Sequence, residues 1–155
     1  MKRFLFFSSY FDGNTAKLWR SFFKSFVIDY PDTESHFLFV DITGNTFIDE
    51  ISSFTTNQIA VGEMVKTMPE LTDYEVQELS LIRDEYFLSR LRLQLTWQKA
   101  SILSDPNLGF EKAILMEIKF FLNYLSDHRI EFVCVDMVTP FNSLECVVLE
   151  ANKIR

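Results

Sequence analysis

The chain has 155 residues, about the length of one domain, and 48% of them are hydrophobic, 15% aromatic and 24% charged. That is enough core material to exclude a disordered tail, and four Gly with four Pro exclude a collagen-like or low-complexity chain. Fifteen Lys and Arg against 22 Asp and Glu leave a net charge of -7, which argues against a general nucleic-acid binder and against docking on anionic membranes.

Positions 3–9 (RFLFFSS) are a short apolar and aromatic run closed by small polar residues, the pattern of a strand buried on both faces. A turn follows at 10–14, and Thr15 reads as the N-cap of a helix through Leu18, Trp19, Phe22, Phe23 and Phe26 that stops at Tyr30-Pro31-Asp32. Positions 36–43 (HFLFVDIT) repeat the buried-strand pattern. Gly44-Asn45 then reads as a turn, and Thr46 with Asp49 as the start of a second helix. Buried strand, Gly-Asn-Thr and helix therefore occur twice in the first third of the chain, which predicts parallel strands joined by right-handed crossovers.

The middle reads as helical. A modest helix is predicted over 57–68, ended by Pro69. Thr72 with Glu75 forms a capping box that opens a long helix bearing Val76, Leu79, Ile82 and Tyr86. Positions 90–97 alternate strictly, as a strand would, yet their composition and flanks favour helix. After Asp105-Pro106-Asn107, a helix over 109–126 places Phe110, Ile114, Ile118, Phe121 and Leu125 on one face. Positions 131–137 (EFVCVDM) echo the second strand, and Thr139-Pro140 opens a last helix in preference to a hairpin partner at 144–149. The expected architecture is one α/β domain over 1–155, a small, mainly parallel Rossmann-like sheet flanked by several long helices.

In open parallel sheets, ligands bind outside the carboxyl ends of the strands. Asp12, Asp41 and Asp136 fall at three such ends, where a carboxylate can bind hydroxyls or move a proton, or simply cap a helix or turn. Asp12 and Asp136 are the catalytic candidates. Ser9, Gly13, Asn14, Thr15, Asp41, Gly44, Asn45, Thr46 and Thr139 are the ligand-binding candidates. Cys134 and Cys146 lack CxxC spacing and read as free thiols. His36 and His128 belong to no HExxH or Cys/His cluster, so no metal is expected, and no cofactor either. GxSxG, GxxxxGK[ST] and GxGxxG are all missing. Trp19, Trp97 and Phe120-Phe121 read as core. The apolar run after Lys2-Arg3 is too short for a signal peptide and no stretch is long enough to span a membrane, so a cytoplasmic protein is expected.

The first loop, Ser8 to Thr15, resembles the phosphate loop of flavodoxins in its Gly13-Asn14-Thr15, but Ser9 and Thr15 lie too far apart and Phe11 and Asp12 do not suit a phosphate. Flavin binding is not carried over. The opening strand with Ser8-Ser9-Tyr10-Phe11, and the closing unit 130–155 with Asp136 and Thr139-Pro140-Phe141, resemble the N-terminal domains of GT-B glycosyltransferases. That resemblance implies the acceptor-side half of a sugar- or nucleotide-handling enzyme, with the nucleotide sugar held largely on a second domain and Asp12 or Asp136 removing a proton from an acceptor hydroxyl. The competing expectation is a small acidic interaction protein, of inhibitor or immunity type, whose charge and surplus aromatics capture a basic protein partner. A homodimer through a Phe-rich helix face is compatible with both.

Overall fold

The computed structural model describes residues 1–8, 11–39, 42–87, 110–135 and 143–153. Among them, β1 (Lys2–Ser8), β2 (Thr33–Phe39), β3 (Asn57–Ala60) and β4 (Phe132–Val135) form a four-stranded sheet in the order β3-β2-β1-β4. Every pairing in it is parallel. The helices are α1 (Gly13–Asp29), α2 (Val61–Thr67), α3 (Asp73–Phe87), α4 (Phe110–Asp127) and α5 (Ser143–Lys153), with a 3-10 helix at Ile42–Glu50. This is the expected α/β, Rossmann-like parallel fold. The chain divides into two compact units, one of Met1–Glu63 with His128–Met137 and one of Met64–Asp127 with Val138–Arg155.

The first unit is organised by phenylalanine. Phe4 and Phe6 of β1 and Phe37 and Phe39 of β2 alternate with residues of the other sheet face, so all four point to the same side. There they meet Trp19, Phe23 and Phe26 of α1. Phe6 stands edge-on to Phe23 at 4.9 Å and to Phe26 at 5.1 Å, and Trp19 edge-on to Phe37 at 5.2 Å. Such edge-to-face pairs contribute about 0.5–1.5 kcal/mol each beyond the area they bury. The opposite face carries Leu5, Phe7 and Leu38, also fully buried. A strand apolar on both faces is what makes the runs continuous rather than alternating.

The second unit packs α3, α4 and α5 against one another. Thr72 and Glu75 make the expected capping box: Glu75 Oε2 accepts from Thr72 N at 2.9 Å, and Thr72 Oγ1 accepts from Glu75 N at 3.3 Å. Lys119 of α4 pairs with Glu75, and Lys112 with Glu70 at 2.8 Å.

Four local expectations change. Residues 57–60 are strand β3, not helix, because pairing with β2 in the register His36↔Asn57 to Phe39↔Ala60 outweighs local propensity; the helix begins only at Val61. Gly44, Asn45 and Thr46 lie inside the 3-10 helix rather than in a turn and cap, in a segment whose β-branched Ile42, Thr43, Thr46 and Ile48 disfavour a regular α-helix. The N-cap of α1 is Asp12, not Thr15. Finally, α4 is buried on nearly every side: Ala113 through Ile118 are all enclosed, Glu117 among them. Residues 143–150 are helical, within α5. The expectations at 90–97, and those at Trp97 and at Asp105 to Asn107, lie outside the described residues.

Candidate functional site

The strand order reverses at β1. The chain runs outward through β1, β2 and β3, and β4 returns on the other side of β1, which makes β1/β4 the topological switch point of the sheet. The carboxyl ends are level. Ser8 pairs with Phe39, Phe39 with Ala60, and Phe7 with Val135, so the four strands finish on one rim. The segments bearing Asp12 and Asp136 follow the two strands that flank the switch point, and the one bearing Asp41 follows β2.

Asp12 is held firmly. Phe11, before it, is buried against Phe37 at 4.9 Å and Phe39 at 5.1 Å, which anchors the loop into the aromatic core. Oδ1 of Asp12 then accepts from Asn14 N at 3.0 Å, Thr15 N at 2.8 Å and Thr15 Oγ1 at 2.7 Å. These bonds, those from Thr15 foremost, hold the carboxyl below its ordinary range. Two consequences follow for chemistry. The free N–H groups at the start of α1, where a phosphate would sit, already serve Asp12, so an anion would have to displace a carboxylate. A carboxylate stabilised in its charged form is also a weak base but a good acceptor for a hydroxyl.

Gly13 has a packing reason to be glycine. A Cβ there would lie 3.1 Å from Cε1 of Phe47 on the 3-10 helix. Thr15 spends its hydroxyl on Asp12, Asn14 is exposed, and Thr46 is exposed on the 3-10 helix. Of the remaining candidates, Gly44 and Asn45 are described only in their backbone, while Ser9, Asp41, Asp136 and Thr139 lie outside the described residues. The structure thus brings Asp12, Gly13, Asn14 and Thr15 together at the start of α1, behind β1.

A second polar group lies toward the amino ends of the strands. Arg3 Nε donates to Glu34 Oε2 at 2.9 Å, and Glu34 Oε1 lies 3.1 Å from Nε2 of His36. Asn57 Nδ2 lies 3.2 Å from His36 Nδ1. An amide nitrogen can only donate, so Nδ1 accepts and Nε2 carries the proton given to Glu34. Burial favours the neutral ring and pushes the His36 pKa down, against the opposing pull of Glu34; the His128 ring is 4.9 Å away. Arg3 foremost holds Glu34 below its ordinary range. Sequence reading passed over this chain, although Arg3, Glu34, His36 and Asn57 sit on three strands now paired side by side. Its signal was polar residues inside otherwise apolar strands. No group of three or more metal-ligating side chains occurs among the described residues, and no helix there is long and apolar enough to cross a membrane.

The fold and the rim define a Rossmann-like α/β unit with an acidic side chain behind its first strand. No protein-family model, curated protein or solved structure matches the chain.

Proposed function

We propose that the chain is the acceptor-side, Rossmann-like part of a sugar-transferring enzyme of GT-B type. The observation that carries this reading is Asp12, fixed by α1 beside the switch point of an all-parallel sheet, with only Oδ1 engaged in the cap. The three cap bonds from Asn14 and Thr15 all go to Oδ1, and Oδ2 is the acceptor a sugar hydroxyl would use. In this reading Asp12 orients the acceptor, because its low pKa makes it a poor base. Asp136, next in the chain after β4, takes the hydroxyl proton. The sugar oxygen attacks the anomeric carbon of a nucleotide sugar, and the nucleoside diphosphate leaves with the bonding pair.

Calorimetric titration with oligosaccharides and with nucleotide sugars tests this. Acceptor saccharides should bind, and Asp12→Asn should weaken them about tenfold through loss of a charge-assisted hydrogen bond. Absence of binding to any saccharide, by this chain or by a form extended past Arg155, would end the proposal.

A second reading is favoured by a different observation. Phe22, Tyr30 and Phe132 are 43%, 50% and 42% exposed, and all three adjoin the aromatic cluster around Phe4 and Phe26. With a net charge of -7, such rings suit an interaction protein for a basic partner. A stoichiometric partner whose binding weakens with salt, and fails in Phe132→Ser, would favour it over sugar transfer.

A further inference from the structure

Glu117 is the only buried carboxyl among the described residues, at 2% exposure in α4. Among the described residues its Oε2 has no hydrogen-bond partner, and neither has the enclosed hydroxyl of Ser143, the first residue of α5. The Ser143 hydroxyl lies near enough to favour the charged carboxylate, but burial opposes it more strongly and pushes Glu117 up to about 7. Charged groups on the helices packed around it are engaged elsewhere. Glu75 of α3 holds Lys119, Arg83 holds Asp84, Glu78 takes the Tyr74 hydroxyl, and Lys112 of α4 holds Glu70. Glu85 of α3 and Glu150 of α5 also have partners, and Asp73 is exposed at the start of α3. No cation among the described residues offsets a charge on Glu117.

An enclosed oxygen without a donor is costly as an anion. The smallest thing that relieves it is a proton. A proton on Oε2 removes the charge, which the Ser143 hydroxyl at the start of α5 offsets only in part. We propose that Glu117 is a proton-operated catch between α4 and α5, which holds α5 in place while Glu117 is protonated and loosens when it ionises. This does not depend on the sugar-transfer reading.

The sign follows from linkage. A carboxyl raised from 4.5 to about 7 in the packed state binds its proton more tightly there than when α5 is released. The catch is therefore fully present below about pH 4.5 and is lost as pH rises through about 7, by roughly tenfold per unit in between.

Hydrogen exchange of α5 amides in the intact chain, corrected for the intrinsic rate, tests it. Protection should fall roughly tenfold per unit between about pH 5 and pH 7, and Glu117→Gln should flatten that dependence. Ser143→Ala should move the midpoint upward, because the hydroxyl that favours the anion is gone. The same slope in Glu117→Gln as in the wild type, or no slope in the wild type, overturns the catch; an unmoved midpoint in Ser143→Ala overturns its placing against α5. If Glu117→Gln does not fold, the wild-type Glu117 carboxyl carbon resonance decides the matter. A midpoint near 7 supports the catch, and one near 4.5 overturns it.

Discussion

The sheet unit encloses His36 and the helical unit encloses Glu117, and they resolve the same physical problem differently. His36 is fully buried, yet both ring nitrogens meet partners, Glu34 on one side and Asn57 on the other. Glu117 is also enclosed, and one of its oxygens has no hydrogen-bond partner among the described residues. Burial drives both toward neutrality. For a base that means a lowered pKa, and for an acid a raised one. The lesson is that one desolvation penalty gives the two units opposite responses to acid.

The comparison can be broken at its foundations first. Phe23 is fully buried at the centre of the sheet-side aromatic cluster, and Phe23→Ala should cost about 3–5 kcal/mol in urea unfolding. Phe132→Ala, at a half-exposed ring, should cost about 1 kcal/mol or less. Equal losses would mean that the ring cluster does not organise the first unit.

The pH contrast comes next. His36 has a folded pKa below its ordinary 6.5, so its contribution is fully present above about pH 6.5 and is lost as pH falls through the lowered value. Glu117 works the other way, gaining as pH falls from about 7 toward 4.5. On acidification from about pH 6.5 to pH 5, amides of β1 and β2 should lose exchange protection, by up to about tenfold per unit, while those of α4 and α5 gain it. His36→Gln should erase the first change and leave the second. Parallel responses in both units would refute the contrast.

The smallest effect belongs to the rim. Asp12→Ala removes the α1 cap and should lower the folding equilibrium constant by roughly fivefold, the usual scale for a lost N-cap. Thermal melts of the variant would measure it. Asp12→Asn should recover most of the loss, because an amide oxygen can accept the same bonds, and that separates the cap from any role of the charge in binding a saccharide.

Much of the fold was legible because its evidence is local. Uninterrupted apolar runs at β1 and β2 marked strands buried on two faces; the same pattern located β4, although that edge strand is only partly buried, and Thr72 with Glu75 marked the start of α3 by chemistry confined to four residues. The misreadings share a cause. Residues 57–60 carry no strong strand pattern, and only the neighbouring edge of β2 makes them β3. Thr15 looked like the cap because it follows Gly-Asn, yet Asp12 reaches two amides that Thr15 cannot. In the candidate site, the position of Asp12 behind a strand was readable, but its low pKa needed the folded geometry. The Arg3-Glu34-His36-Asn57 chain was invisible, because its members come together only through strand pairing.

By itself, then, the sequence determined that apolar segments of this chain must pair as buried parallel strands, since nothing else hides both faces of such runs and leaves helices between them. Tertiary structure alone decided the strand order, the strand at 57–60, and the opposite pKa shifts of His36 and Glu117. Those depend on which groups meet across distant parts of the chain and on how much water is removed from around them, and neither quantity is written in local order.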